Sequence, residues 1–156
     1  MQTFDTPEGV RGQAKSLVTT MRSDAHTWNL VVLQLYLQQW GHDVLNLGPC
    51  VPEDLLLQQS EWFEPDLIVV STVNGHGTHD ARSLVRRLRG SERLAATRIV
   101  LGGKLGVAGD RCDAELRSLR DAGYDAVFPE SATVHDLDPI LRQLAVERGS
   151  VGARSR

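Results

Sequence analysis

Asp24 and His26 stand two residues apart in the run Ser23-Asp24-Ala25-His26-Thr27-Trp28-Asn29. An aspartate so placed can accept a hydrogen bond from one imidazole nitrogen, which fixes the tautomer and leaves the other nitrogen free to bind a metal. Two other runs carry hydroxyls or bare backbone: Ser71-Thr72-Val73-Asn74-Gly75-His76-Gly77 and Gly102-Gly103-Lys104-Leu105-Gly106. Each has an ordinary structural explanation when taken singly. A loop histidine beside an aspartate is most often a surface pair, Ser71 and Thr72 can close a strand end, and a double glycine can serve a turn that needs positive φ. Their chemistry becomes informative if the fold gathers them at one place.

His76, His79 and Asp80 form another cluster of metal-ligand types, but no third ligand stands at convincing spacing, and Thr78 or Asp80 suits a helix start that needs its free N–H groups satisfied. Gly75-x-Gly77 followed by Asp80 is one glycine short of a dinucleotide fingerprint and follows the third strand, which argues against a nicotinamide role.

The elements that must position these residues alternate regularly. Ser16 to Met21 is a β-prone run, and Thr27 to Trp40 is a long, nearly all-apolar segment without Gly or Pro, which predicts a helix. Gly41 stops it, Asp43 to Leu47 reads as a second strand, and Pro52 opens a helix to about Phe63. Asp66 to Thr72 is a continuous apolar strand, and Ala81, Leu84, Val85 and Leu88 then share one helix face with Arg82, Arg86, Arg87 and Arg89 on the wet side. Arg98 to Leu101 ends in the double glycine, a helix follows from about Asp110 to Ala122, and Tyr124 to Phe128 is the fifth strand. Val134, Leu137, Leu141 and Leu144 mark a last amphipathic helix.

Five apolar strands alternating with five helices predict an α/β fold of the flavodoxin-like, doubly wound kind: a five-stranded parallel sheet, order 2-1-3-4-5, with helices on both faces. Ligands of such sheets bind beyond the carboxyl ends of the strands where the order reverses, here after strands one and three. All three runs above fall at that edge. The expected domain spans residues 16–146, after a polar lead over 1–15 and before a tail over 147–156 that has lost apolar periodicity and is expected to be flexible.

At 156 residues the chain has the size of one domain. Its 17 Lys plus Arg against 20 Asp plus Glu give a net charge of −3, which offers no basic field for nucleic acid or an anionic membrane. Two cysteines outside any CxxC pattern suit a reducing compartment, and the polar N-terminus has no signal-peptide core, so a cytoplasmic protein is expected.

The three runs together resemble the B12-binding domains. Asp24 to Asn29 is similar to their DxHxxG signature, Ser71 to Val73 to their SxL element, and Gly102-Gly103 to their GG element, over roughly Ser16 to Phe128. The resemblance is nearest to the small, cobalamin-binding subunit of glutamate mutase (methylaspartate mutase), in Ser23-Asp24 before the histidine, Gly75 and Gly77 after SxL, and the ending Tyr124 to Glu130. The sequence departs from the signature at Asn29, which replaces its glycine, and at Trp28, Asn74 and His76.

That resemblance implies a cobalamin whose own base is swung off the metal and threaded into the domain, with His26 as the cobalt axial ligand in its place and Asp24 orienting His26. It implies that Ser23, Asp24, Ala25, His26 and Thr27 line the lower face, that Ser71, Thr72 and Val73 contact the tail, and that Gly102, Gly103, Lys104, Leu105 and Gly106 flank its ribose and phosphate. The implied cofactor is adenosylcobalamin, the vitamin B12 coenzyme. The implied partner is a separate large barrel-type mutase subunit that binds the substrate, since a chain of this length cannot itself cover the corrin's upper face. Together they would form an isomerase, an intramolecular transferase that converts glutamate to 3-methylaspartate, and no residue of this chain is expected to be catalytic on substrate. Two alternatives stand beside this one: a corrinoid methyl carrier, disfavoured because no helical cap precedes the first strand, and a non-catalytic B12-binding regulator. A receiver-type signalling module lacks its phosphoacceptor aspartate where Ser71-Thr72 stands.

Overall fold

In a computed structural model, which describes residues 13–20, 28–72, 78–103, 110–129 and 131–153, five parallel strands lie in the order β2-β1-β3-β4-β5. The strands are β1 (Lys15–Thr20), β2 (Asp43–Asn46), β3 (Leu67–Thr72), β4 (Arg98–Gly103) and β5 (Ala126–Phe128). The helices are α1 (Trp28–Gln39), α2 (Glu53–Phe63), α3 (Thr78–Arg89), α4 (Asp110–Ala122) and α5 (Asp138–Ala153), with short 3₁₀ turns at Glu92–Leu94 and Val134–Leu137. This is the expected doubly wound sheet and the expected order. No helix among the described residues is long and apolar enough to cross a membrane.

The period-two alternation of the strands divides the core into two layers. Leu17, Ile68, Val70, Ile99, Leu101 and Val127 pack with Leu56 and Phe63 of α2, Ala81, Leu84, Val85 and Leu88 of α3, and Leu119 of α4. On the other face Val18, Leu67, Val69 and Val100 meet Leu30, Tyr36 and Leu37 of α1 and Leu141 and Leu144 of α5. Central strands buried on both faces explain why β3 reads as an unbroken apolar run. Helix α1 is apolar nearly all round, and the surplus stays in solvent: Val31 and Leu35 are 51% and 57% exposed.

Three details depart from the sequence reading. Arg82 and Arg89 are half-buried rather than on a wet face, because Arg82 reaches Glu115 of α4 at 2.5 Å and Arg89 reaches Asp125 at 2.6 Å. Strand β5 begins only at Ala126, since Tyr124 donates its hydroxyl proton to the Ala81 carbonyl and the Asp125 carboxylate accepts the Ile99 N–H. Helix α5 continues past residue 146 to Ala153. Charge pairs hold that extension where apolar periodicity is absent: Glu147 accepts from Arg98 at 2.7 Å, and Arg148 donates to Asp66 at 2.6 Å.

Candidate functional site

The strand register turns three separate sequence runs into neighbours. Thr20 ends β1 opposite Ser71, Ser71 lies opposite Gly102, and Gly102 lies opposite Phe128, so the four form one row at the carboxyl edge. The next row inward on the same face, two residues along each strand, is Val18, Val69, Val100 and Ala126. All four of those pack in the layer beneath α1 and α5, and by alternation the edge row faces the same helices. The result is an apolar floor bordered by a hydroxyl and a position without a side chain.

The two glycines have different reasons for being glycine. A Cβ on Gly103 would lie 1.7 Å from the Thr72 carbonyl oxygen, and Gly103 has φ +116°, so backbone packing and conformation both require it. Gly102 is under neither constraint. A Cβ there would meet Phe128 at 3.6 Å, an ordinary contact, and its φ is not in the left-handed region. Neither backbone conformation nor contact at the Cβ position therefore requires glycine at Gly102. The ordinary explanation of the double glycine accounts for the second residue and leaves the first unexplained.

Ser71 is 7% exposed, and its hydroxyl makes no hydrogen bond to another described residue. The β2–α2 connection is fastened beside it: the Cys50 N–H donates to Thr20 Oγ1 at 3.1 Å, and Thr19 Oγ1 donates to the Gly48 carbonyl at 3.3 Å. Thr72 is fully buried at the end of β3 on the opposite face of the sheet from Ser71.

The remaining candidates, Ser23, Asp24, Ala25, His26, Thr27, Val73, Lys104, Leu105 and Gly106, lie outside the described residues. The described chain on either side of their segments is nevertheless informative. Residues 21–27 join Thr20 to Trp28, 73–77 join Thr72 to Thr78, and 104–109 join Gly103 to Asp110, and the strand ends Thr20, Thr72 and Gly103 belong to three adjacent strands. His76 also lies outside the described residues, whereas His79 is on the surface 3.9 Å from Asp80. Among the described residues no group of three or more His, Cys, Asp or Glu is arranged to hold a metal ion.

Titratable groups elsewhere are tuned by burial. The Tyr36 hydroxyl donates to Asp138 and lies 3.1 Å from His135 Nδ1, and burial followed by the Asp138 hydrogen bond raises its pKa. At the amino edge of the sheet His42 Nδ1 shares a 2.6 Å hydrogen bond with Ser16 Oγ, and burial lowers its pKa. Sequence reading missed Thr20 and Phe128 as members of the edge row. Counting by twos from Val18 and from Ala126 reaches both, but only once the register across the strands is known.

Residues 14–137 match the family described as B12 binding domain. The glutamate mutase sigma subunit of Escherichia coli O157:H7 is 30% identical over 135 residues, which cover 85% of this chain and 87% of that subunit. The glutamate mutase sigma subunit of Fusobacterium nucleatum subsp. nucleatum is 24% identical over 127 residues, 79% of this chain and 93% of that one. A cobalamin-binding protein from Desulfitobacterium hafniense DCB-2 superposes with a TM-score of 0.66 at 20% identity, covering 83% of this chain and 58% of the other. The chain thus spans less than two thirds of that structure, and the likeness shows the fold alone.

Proposed function

Because the chain belongs to the B12-binding domain family and, within it, to the glutamate mutase sigma subunits, we propose that it is the subunit that carries cobalamin for a mutase and offers it to a separate catalytic subunit. The observation that carries this reading is the edge row itself. Gly102 could bear a Cβ and does not, beside the hydroxyl of Ser71, which has no described partner, and in line with Val18, Val69, Val100 and Ala126 on the same face of the sheet. A slot of that character suits a cofactor tail with a flat apolar end and a polar linker.

In this reading His26 would supply the nitrogen that holds cobalt, Asp24 would accept its other N–H, and Ser23, Ala25 and Thr27 would complete the surface that receives the cofactor. Ser71 donates its hydroxyl to the tail, with Thr72 and Val73 extending that contact. Gly102 would leave room for the tail, and with Gly103, Lys104, Leu105 and Gly106 would flank its ribose and phosphate. When bound, adenosylcobalamin supplies a carbon radical for hydrogen abstraction. The chain's own residues bind and orient, and none exchanges a proton with substrate. The partner, a barrel-type large subunit, holds glutamate and excludes water from the other face.

The test is reconstitution. Purified chain, adenosylcobalamin and a glutamate mutase large subunit should together convert glutamate to 3-methylaspartate, and omission of any one should abolish product. Methyl transfer from methylcobalamin without rearrangement would instead support a methyl carrier. Cofactor binding with neither reaction would support a regulator.

A further inference from the structure

Helix α1 joins two parts of the molecule. Its first residue, Trp28, directly follows the segment 21–27 that contains His26, and its buried side turns Leu30, Leu33, Tyr36 and Leu37 into the layer beneath the edge row. Tyr36 is 8% exposed and brings a hydroxyl to that layer. Its hydroxyl is hydrogen-bonded twice to the C-terminal segment. It donates to Asp138 Oδ1 at the start of α5 and lies 3.1 Å from His135 Nδ1 in the preceding 3₁₀ turn. A hydroxyl has one proton, so with Asp138 as acceptor the His135 Nδ1–H is the donor of the second bond. The two rings also meet edge to face, with centroids 5.3 Å apart at 86°.

This arrangement fixes α1 in a way that apolar packing alone does not. Leucines on a smooth sheet face permit a helix to slide or rotate at small cost, whereas a hydroxyl held between two directional partners has one satisfied position. Tyr36 lies eight residues beyond Trp28, about 12 Å along a rigid helix, so a rotation permitted at Tyr36 is delivered to the start of α1, two residues from His26.

We propose that Tyr36 is a positioning residue for the axial histidine: through Asp138 and His135 it holds α1 at the rotation and height that put His26 under the metal. The inference rests on the cobalamin-carrier reading and adds to it a residue ten positions along the sequence from the histidine.

The test uses the full chain and cob(II)alamin. Affinity is read by titration of the visible spectrum, the share of cobalt carrying a histidine nitrogen is read by electron paramagnetic resonance, and folding is read by melting of the cofactor-free protein. Tyr36→Phe keeps the ring and removes both hydrogen bonds. It should remain folded, bind about five- to tenfold more weakly, and show a smaller histidine-ligated fraction even at saturation. Asp138→Asn retains an acceptor oxygen and should stay within about twofold of wild type, while Asp138→Ala should behave like Tyr36→Phe. A merely structural role would lower the melting temperature and leave the ligated fraction at saturation unchanged.

A folded Tyr36→Phe with wild-type affinity and ligation would overturn the proposal, as would equal losses in Asp138→Asn and Asp138→Ala. Should Tyr36→Phe not fold, the Asp138 pair decides by the same contrast. Absence of binding by the wild-type chain would remove the carrier reading and this inference with it, whereas normal wild-type binding with unaltered variants removes this inference alone.

Discussion

Ser71 and Gly102 face each other across β3 and β4, so a serine hydroxyl borders a position with no side chain. Their neighbours Thr72 and Gly103 are paired in the same register, yet there the glycine is forced by the Thr72 carbonyl. One glycine serves the fold and the other is spare, and substitution can separate the two.

Gly103→Ala should destabilise the protein by about 3 kcal/mol or more, because its Cβ would overlap backbone that cannot move without breaking the strand pair. Gly102→Ala should leave the melting temperature within a few degrees of wild type. Gly102→Leu should also fold but lose cobalamin affinity by about tenfold or more, since the side chain would occupy the slot. Thermal melts and cofactor titrations on the three variants check this; unimpaired binding by Gly102→Leu would place the tail elsewhere.

Ser71→Ala removes a hydroxyl that has no described protein partner, so stability of the cofactor-free chain should change by less than about 0.5 kcal/mol. Loss of one hydrogen bond to the tail should weaken cobalamin binding about three- to tenfold. A large melting shift with unchanged affinity would make Ser71 a structural residue.

His42 predicts a pH dependence of stability. Burial lowers its pKa below the usual 6.5, so the unfolded chain takes up the proton first as pH falls. Its contribution is complete above about 6.5 and is lost as pH drops from there toward the depressed value. Arg148 disfavours the charged ring and Asp66 favours it, but burial dominates. Melting temperatures between pH 7.5 and pH 5 should fall in the wild type and fall less in His42→Gln, where this proton is absent.

Truncation after residue 146 removes Glu147 and Arg148, and with them the bonds to Arg98 and Asp66. The shortened chain should melt several degrees lower, and Arg148→Ala alone should cost about 1 kcal/mol. An unchanged melt would show that α5 beyond Val146 contributes nothing to the fold.

The sheet was legible because β1 to β4 are short runs that end in polar or glycine residues, and Leu67 to Thr72 could be nothing but a strand buried on both faces. Helix α5 shows the limit of that method: its final turns are kept by Arg98 and Asp66, which lie 49 and 82 residues away in sequence from their partners, and no periodicity records such pairs. The same holds for Arg89, whose run looked solvated until Asp125 supplied a partner. At the site, Ser71 and the double glycine could be read from residue types and their places at strand ends. What distinguishes Gly102 from Gly103 is a through-space contact, and Tyr36's bond to Asp138 spans 102 residues, so neither was visible in the chain as written.

The central claim is that a histidine of this chain binds cobalt. Electron paramagnetic resonance of cob(II)alamin bound to protein labelled uniformly with nitrogen-15, the cofactor itself unlabelled, tests it most directly. A two-line nitrogen splitting on the cobalt signal that is lost in His26→Ala is the predicted result. A three-line splitting from the cofactor's own nitrogen-14 base, unchanged in that variant, would contradict the account.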